Sequence, residues 1–404
     1  MNFWQPWSLR ELVSGNSALE RSWARIAETE PELRAWVVDI PTPEVTAGPL
    51  GGVPLGVKDI IDVAGIPSKC GTRLRAGAAP AEADAAIVSA WRRAGAVPVG
   101  KTVTTEFAYF SPGPTRNPAA PGHTPGGSSS GSAAAVASGQ VPLALGTQTA
   151  GSVTRPASFC GVASLVMTHG RFPMDGVVGL SPSLDSHGVY TATVDDLALA
   201  WSALTGEPDP ALAQQRPPRL LALTATPAGP EMAGALEEAR KRLAVAGAVV
   251  EDFPLEEVVA DIAAAHRVVM AYEAARERAA ELAVAPQLSP QLTELLRTGA
   301  ETPEHDYVAA QETVAAAGTR VTELLATYDA VLSPAAPGPA PHGLDSTGDP
   351  ILSRPWQALG LPAVTVPGLR DEAGLPLGIQ LIGPAQAEAA LLTVGCWVEA
   401  ALRL

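Results

Sequence analysis

The sequence predicts an α/β protein built as one large domain. Short apolar segments of the length of buried strands alternate with longer segments of helical periodicity, which is typical of a layered α/β sheet. A chain of 404 residues is long enough to bury a large core, and its composition, 47% hydrophobic and 17% charged, is typical of a globular protein. The Pro-rich stretch 205–230 is a candidate linker, but the strands predicted on both sides of it fit a single sheet. We therefore assign residues 1–404 to one domain.

Gly, Pro and charged residues mark the ends of the elements predicted in the first half of the chain. An amphipathic helix is predicted over 8–30, and an apolar strand within 51–59 ends on charged residues. The segment 82–94 has helical spacing, and Gly95 after it is a typical C-cap. The remaining predictions for this half are a strand at 97–100, a loop rich in Pro, Gly and Ser at 107–131, a helix of small residues at 132–138 and a buried strand at 141–145.

The second half continues the alternation of helices and strands. Helices are predicted at 192–205, 232–246, 257–284, 304–327 and 386–402. Strands are predicted at 219–223, 247–250, 329–332, 363–366 and 377–382. The motifs that carry chemistry fall within 51–200, and the strands and helices of 329–402 complete the predicted domain.

Charge, hydropathy and cysteine content limit the binding partners and the cellular location that we expect for the protein. The net charge is −15, and no stretch gathers the Lys and Arg that a phosphate backbone requires, so we expect no nucleic-acid partner. No segment approaches about 18 uninterrupted apolar residues, so we expect no membrane-spanning helix. Charge appears at Arg10 before any apolar run develops, which is untypical of a signal peptide. Three scattered cysteines fit neither a disulfide framework nor a metal site, and we expect a reduced, cytoplasmic protein.

Three segments contain residue types suited to nucleophilic catalysis. Lys58 ends the apolar strand in the run GVKD. Ser128 follows two glycines in the run PGGSSSGS, and Ser152 closes the run GTQTAGS after a buried strand. A serine hydroxyl is a poor nucleophile unless a base removes its proton. If one of these serines is a nucleophile, a base has to lie near it.

Lysine is the base that this pattern favours. An unperturbed lysine, with a pKa of about 10.4, is neutral only about once in 2,500 at pH 7. Burial among residues such as Val57 and Ile60 would lower that pKa, and a second serine can relay the proton to the amine. Histidine is the usual base, but none of the six stands in a motif that indicates this role. His123, close to the serine-rich loop, is the one rival.

The runs GGSSSGSAAAVASG and LALGTQTAGS resemble the amidase signature family. The enzymes of that family use a lysine, a serine that follows a cis peptide bond, and a serine nucleophile. The resemblance implies these roles for Lys58, Ser128 and Ser152, and it implies a cis Gly127–Ser128 bond. It covers most of the chain, since GLPAVTVPGL and GLPLGIQLIGP look like the family's C-terminal strands.

The resemblance also implies an architecture and a reaction. The family's fold is a mixed, twisted sheet covered by helices on both faces. The implied reaction is hydrolysis of a small carboxamide, in which Ser152 attacks and Ser128 passes the proton to neutral Lys58. No metal or organic cofactor is implied. The candidate donors to the oxyanion are backbone N–H groups in a turn of small residues, Thr149, Ala150 and Gly151.

Three positions depart from the family's majority pattern. Gln148 stands where most members have Asp, and Ala150 stands where most have Gly. Arg155 lies three residues past Ser152, where most members have an arginine two residues past the nucleophile. This variant resembles the malonamidase-type branch. Two roles for Arg155 stay open: it binds loop carbonyls, or it binds a carboxylate on the substrate, which would then be a monoamide of a small dicarboxylic acid.

Other functions are compatible with the same motifs. An esterase or carbamate hydrolase could use the same three residues, and a substrate panel would separate these from an amidase. An amidase subunit of an amidotransferase complex is a further alternative, against which the chain's acidity and the departures at Gln148 and Arg155 argue. A non-catalytic binding protein is disfavoured because all three catalytic positions are filled. A homodimer is compatible with the sequence, which does not fix the oligomeric state.

Overall fold

Eleven β-strands form one mixed sheet in the computed structural model, which describes residues 3–11, 16–40, 43–213, 216–224 and 226–403. The strands are β1 (Trp36–Asp39), β2 (Pro54–Lys58), β3 (Val97–Thr102), β4 (Leu143–Gln148), β5 (Ala163–Val166), β6 (Ser186–Thr191), β7 (Arg219–Ala222), β8 (Val249–Asp252), β9 (Ala330–Pro334), β10 (Ala363–Arg370) and β11 (Pro376–Ile382). In the same ranges the helices are α1 (Asn16–Leu33), α2 (Ala86–Arg93), α3 (Ser130–Ala137), α4 (Thr154–Cys160), α5 (Val194–Thr205), α6 (Pro230–Val245), α7 (Glu256–Glu277), α8 (Ala279–Leu282), α9 (Pro290–Glu301), α10 (Glu304–Leu325), α11 (Arg354–Ala358) and α12 (Glu388–Leu402).

The sheet combines parallel and antiparallel pairs. The strand order is β1-β3-β2-β4-β6-β5-β10-β11-β9-β7-β8. β2 runs parallel to β3 and β4, and β7 runs parallel to β8 and β9, whereas the other neighbours are antiparallel. The predicted mixed sheet is confirmed. Because β2 and β4 are parallel neighbours, their carboxyl ends, with Lys58 and Gln148, lie at the same edge of the sheet.

Helices cover both faces of this sheet. Along β7, Leu220 and Ala222 pack into a core that includes residues of α5, α6 and α12. Leu221, between them, packs into a second core that includes residues of α3, α4 and α10. Successive side chains of a strand point to opposite faces, so the two cores lie on opposite sides of the sheet. The prediction of helices on both faces is therefore confirmed.

The helix predicted over 8–30 begins later than predicted. α1 starts at Asn16, and residues 9–11 form a bend and a turn. Ser8 Oγ and the backbone N–H of Arg10 donate to the same carboxylate oxygen of Asp196, at 2.7 and 3.0 Å. Asp196 lies in the first turn of α5. These hydrogen bonds hold the segment against α5 in a conformation other than a helix.

The remaining differences concern short elements. The helix predicted over 257–284 is interrupted at Arg278, which has non-helical dihedral angles (φ −110°, ψ 31°) and separates α7 from α8. The sequence patterns do not predict β1, β5, β6, α4, α9 or α11. β5 and β6 have only four and six residues, and their burial comes from pairing with β10 and β4 as well as with each other. No helix in the described ranges is long and apolar enough to cross a membrane.

The beginning of α3 packs directly against backbone atoms. The N–H of Gly131 donates to the carbonyl oxygen of Val103 at 3.0 Å. A Cβ atom added to Gly131 would lie 2.3 Å from the carbonyl oxygen of Ala35 and 2.4 Å from the backbone nitrogen of Val103. Only glycine therefore permits this approach of α3 to the residues just before β1 and just after β3, and the approach places the loop that precedes α3.

We expect Gly131→Ala to lower the free energy of unfolding by about 1–3 kcal/mol, because α3 has to move to make room for the methyl group. Gly234→Ala in α6 is the matched control, since a Cβ atom there meets nothing within 4 Å. The control should be neutral or should stabilise the protein by up to about 1 kcal/mol. Urea unfolding of both variants measures the difference. Equal effects on the free energy of unfolding would contradict the packing argument.

Candidate active site

Lys58 is the last residue of β2 and is fully buried. Its Nζ donates to Ser128 Oγ at 2.7 Å and to Thr147 Oγ1 at 2.9 Å. Thr147 lies beside it because β2 and β4 are parallel neighbours, with Val57 opposite Leu145. The sheet thus brings Lys58 to Ser128, two of the predicted site residues.

Burial lowers the pKa of Lys58 to about 7. The loss of water around the ammonium group is the largest cause, and the nearby carboxylate of Asp185 opposes it by favouring the charged form. A lysine with this pKa is about half neutral at pH 7, whereas an ordinary lysine is almost entirely charged. Neutral Lys58 has the lone pair that a base requires.

Ser128 lies in the loop before α3, and the Gly127–Ser128 peptide bond is cis, as predicted. The carbonyl oxygen of Ser128 accepts the N–H of Thr105 at 3.2 Å. The carbonyl oxygen of Gly127 accepts Arg155 Nη2 at 2.7 Å. Because the carbonyls on both sides of the Ser128 side chain are held, its hydroxyl is kept in position against Lys58.

Ser152 lies in the turn that follows β4. Its carbonyl oxygen accepts the N–H of Ser129 at 3.3 Å and the hydroxyl of Tyr190 at 3.2 Å, which anchors the backbone at this residue. Its hydroxyl forms no hydrogen bond with any residue in the described ranges, but it lines the same pocket as Ser128. The two serines therefore share a pocket without a hydrogen bond between their hydroxyls. Catalytic hydrogen bonds often form only when substrate is bound.

The pocket that contains both serines is small. About 280 Å³ of empty space, part of it open to solvent, lies within it. The three predicted oxyanion residues and Arg155 also line it. The rest of its wall consists of Ala108, Tyr109, Phe110, Leu180, Met270 and Pro350. All the predicted site residues except the deeper Lys58 thus border one pocket, and its size suits a small substrate.

The turn between β4 and α4 presents free backbone donors. The N–H groups of Ala150, Gly151 and Ser152 form no hydrogen bond with any residue that the structure describes. Ala150 does not have a positive φ, so its methyl group is unstrained where most of the family has glycine. Adjacent free N–H groups beside a candidate nucleophile form a site suited to a developing negative charge.

Gln148 fastens this turn to the helix that follows it. Its Oε1 accepts the N–H groups of Val153 and Thr154, at 2.9 and 3.1 Å, at the beginning of α4. Its Nε2 donates to Gln357 Oε1 at 3.1 Å. The neutral amide of Gln148 therefore provides the oxygen that accepts these N–H groups, at a position where most of the family has Asp. Unlike a carboxylate, the amide also donates a hydrogen bond, to Gln357 of α11.

Arg155 is buried and holds two loops. Its Nε donates to the carbonyl oxygen of Thr347 at 2.6 Å, and its Nη2 donates to that of Gly127 at 2.7 Å. Its Nη1 is buried without a hydrogen-bond partner, and no carboxylate in the described ranges lies within 4 Å of the guanidinium. Burial, and then the positive charge of Arg354, lower the pKa of Arg155 to about 9. Arg155 thus binds loop carbonyls, as one of the two predicted roles requires. Its Nη1 stays without a partner, in a residue that lines the pocket.

The structure places the rival base elsewhere. His123 is partly exposed, its Nδ1 lies 3.2 Å from the carbonyl oxygen of Pro121, and its ring packs edge-on against His342. It does not line the pocket. Two residues that the sequence patterns do not indicate contact the turn at Thr149 instead: Asp185 accepts the hydroxyl of Thr149 at 2.5 Å, and His266 Nε2 lies 2.8 Å from its carbonyl oxygen.

Comparisons with known proteins agree with this fold. The profile of the family described as Amidase matches residues 18–392. A 2-amino-5-chloromuconic acid deaminase of Comamonas testosteroni is 34% identical over 400 residues, which cover 87% of this chain and 82% of the relative. A glutamyl-tRNA(Gln) amidotransferase subunit of Synechococcus sp. (strain RCC307) is 31% identical over 451 residues, which cover 95% of this chain and 93% of the relative. A crystal structure of an amidase is similar with a TM-score of 0.84 and 28% identity, over 96% of each chain.

The mixed sheet with helices on both faces is the fold of amidase signature enzymes. The chain belongs to the Amidase family, and it is a hydrolase that acts on carboxamide C–N bonds. The predicted family and fold are confirmed.

Proposed function

We propose that this enzyme cleaves a small carboxamide through an acyl-enzyme intermediate on Ser152. The observation that carries the proposal is the 2.7 Å hydrogen bond between Lys58 Nζ and Ser128 Oγ, beside the pocket that Ser128 and Ser152 line. When the amine is neutral, the Ser128 hydroxyl can donate to it across this distance. The lowered pKa of Lys58 makes the amine a base at neutral pH. A relay serine, a buried base and a nucleophile are then present in one place.

In the acylation step, Ser152 Oγ bonds to the amide carbon while its proton passes to Ser128 Oγ. The proton of Ser128 passes in turn to Lys58 Nζ. The negative charge that develops on the amide oxygen is held by N–H groups of the turn at Ala150 and Gly151. As the C–N bond breaks, the proton returns from Lys58 through Ser128 to the leaving amine, and the acyl group stays on Ser152.

Deacylation repeats this sequence with water. A water molecule gives a proton through Ser128 to Lys58 as its oxygen bonds to the acyl carbon. The proton then returns to Ser152 Oγ when the ester bond breaks, and the carboxylic acid product leaves. Each turnover consumes one water molecule and restores neutral Lys58, so the residues named supply all the proton transfers.

We further propose that the substrate has a carboxylate near the scissile amide, as a monoamide of a small dicarboxylic acid has. A buried guanidinium without a carboxylate partner is costly, and Arg155 has an unpaired Nη1 beside the pocket. The deaminase relative is named for an acid substrate. Assignment to the malonamidase-type branch stays a prediction.

Arg155→Ala is expected to reduce the preference for acidic amides by tens-fold or more. A hydrogen-bonded, desolvated charge pair is worth about 2–5 kcal/mol, and the variant loses it. The measurement is the ratio of kcat/KM for malonamate-like monoamides to kcat/KM for neutral amides of equal size, in wild type and variant. The ratio is needed because Arg155 also holds Gly127 and Thr347, so its removal lowers the rate on all substrates.

The neutral amide is the internal control in this comparison. An equal loss on acidic and neutral amides would assign Arg155 to loop support alone. A wild type that prefers neutral or aryl amides would also contradict the carboxylate proposal, and the general amidase function would stand without it.

A role as the amidase component of a larger complex is the second candidate, because the glutamyl-tRNA(Gln) amidotransferase relative matches over 95% of this chain. Hydrolysis of a small amide by the purified chain alone supports the first candidate. Hydrolysis that begins only after a partner protein is added supports the second. Higher kcat/KM for esters or carbamates than for amides would indicate that the same residues serve an esterase or a carbamate hydrolase.

A further inference from the structure

His266, in the middle of α7, forms a hydrogen-bonded chain with the turn beside Ser152. The ring is fully buried. Its Nε2 lies 2.8 Å from the carbonyl oxygen of Thr149, and its Nδ1 lies 2.9 Å from Arg354 Nη1. Arg354 is the first residue of α11 and is buried as well. The His266 ring therefore joins three segments that lie far apart in the chain.

The partners of the ring fix its protonation. A guanidinium only donates hydrogen bonds, so Nδ1 of His266 accepts from Arg354. The proton of the neutral ring is then on Nε2, which donates to the carbonyl oxygen of Thr149. Burial and the positive charge of Arg354 lower the pKa of His266 to about 3, so the ring stays neutral at the pH at which the enzyme works. His266 therefore donates to Thr149 at all such pH values.

The carbonyl of Thr149 belongs to the same peptide group as the N–H of Ala150. Hydrogen bonds in a chain polarise one another, so donation to the carbonyl oxygen makes the N–H at the other end a stronger donor. That N–H has no partner among the described residues and lies in the pocket turn. The hydroxyl of Thr149 is held separately by Asp185. The peptide is thus held from two sides, and its free N–H belongs to a residue that lines the pocket.

We propose that Arg354 and His266 are positioning residues, which orient and polarise the Thr149–Ala150 peptide so that its N–H stabilises the oxyanion. The inference rests on the proposed function, because it needs a tetrahedral oxyanion formed at Ser152. Arg354 acts through His266, and neither residue lines the pocket. Their effect is therefore expected on the transition state and not on binding of the substrate.

His266→Leu tests this role with His266→Gln as the conservative variant, since a glutamine amide can still donate to the carbonyl of Thr149. Outright loss of an oxyanion donor costs about 100- to 1,000-fold in kcat. The effect of His266 is indirect, so we expect His266→Leu to lower kcat on the order of 10- to 100-fold and to change KM less than about twofold. His266→Gln should recover most of the rate. Arg354→Met should give a smaller loss than His266→Leu, because the ring still donates.

A second measurement separates positioning from loss of packing. An aldehyde analogue of the substrate forms a tetrahedral adduct with a serine, so its affinity should fall in parallel with kcat across the variants. The affinity for the carboxylate product should not change. The matched control is His187→Leu, which removes another buried histidine whose ring contacts a backbone carbonyl, that of Pro173. His187 pairs with Thr147 in the sheet, but its ring makes no hydrogen bond to the turn at Thr149. The change should lower thermal stability and leave the aldehyde affinity unchanged.

Two outcomes would overturn the inference while the proposed function stands. One is a folded His266→Leu variant with wild-type kcat and aldehyde affinity. The other is a loss of kcat in that variant with no loss of aldehyde affinity, or with no recovery in a folded His266→Gln. A wild type that neither hydrolyses amides nor binds the aldehyde through Ser152 would overturn the proposed function and this inference together.

Discussion

Replacement of Ser152 by alanine is expected to abolish hydrolysis, with kcat falling by a factor on the order of 10⁴ to 10⁶. The change removes the oxygen that we place in attack on the amide carbon. The carbonyl of Ser152 keeps its bonds to Ser129 and Tyr190, so the turn should stay in place. Initial rates of the purified variant on an amide substrate, with circular dichroism to check folding, give the result.

A serine-reactive probe provides an independent test of the same assignment. A fluorophosphonate should label wild type at Ser152 and should not label Ser152→Ala. Ser138→Ala is the control, because Ser138 is a buried serine at the end of α3 that bonds to Ala135 and does not line the pocket. It should be active and labelled at Ser152. Labelling of Ser152→Ala at another serine would refute the assignment of the nucleophile.

Ser128→Ala separates the relay from the nucleophile. We expect kcat to fall by several orders of magnitude, because Ser152 then has no direct path for its proton to Lys58, yet a trace of activity should persist since the attacking oxygen is intact. Mass spectrometry after long incubation should detect the acyl-enzyme in Ser128→Ala and not in Ser152→Ala. An acyl adduct on Ser152→Ala would exclude Ser152 as the nucleophile.

The candidate catalytic residues were accessible from sequence because each lies in a local motif. Lys58 ends a strand, Ser128 follows two glycines, and Ser152 closes a turn of small residues. Such features depend on a few neighbouring residues and on a known family pattern. The burial that gives Lys58 its low pKa comes from the sheet around β2, and only the structure shows it.

The partners of Thr149 could not be predicted in this way. Asp185 and His266 lie 36 and 117 residues from it in sequence, and Arg354 lies a further 88 residues beyond His266. No periodicity or motif in α7 distinguishes His266 from a histidine in an ordinary core. Contacts of this kind are made by the packing of whole elements, so a single sequence does not indicate them.

The errors in secondary structure have the same origin. β6, with the sequence SHGVYT, contains Ser, His and Gly, which do not produce an apolar alternation, and it becomes a strand because β4 and β5 pair with it. The segment before α1 contains helix-compatible residues, but Asp196 of α5 binds Ser8 and Arg10 there. In both places tertiary hydrogen bonds outweigh the local preference of the chain.

Hydrolysis by wild type is expected to increase with pH through about 7, and Lys58→Ala is expected to remove this increase and to lower the maximum rate by several orders of magnitude. Only the neutral amine accepts a proton. Because burial lowers the pKa of Lys58 to about 7, the active fraction grows as pH rises through that value and is constant well above it. kcat/KM measured from about pH 5 to about pH 9 reports this pKa in the free enzyme.

Two further lysine variants make the test specific to the base. Lys58→Arg should not restore activity, since a guanidinium stays charged in this pH range. Lys101→Met is the matched control: Lys101 is a fully buried lysine on the neighbouring strand β3, paired with Asp59 at 3.1 Å and outside the pocket. Its loss leaves a buried carboxylate unpaired, so it should reduce stability by about 3–5 kcal/mol and keep the pH dependence of wild type. If Lys58→Ala keeps the wild-type pH profile instead, Lys58 is not the base, and His123→Ala then tests the other base that the sequence offers.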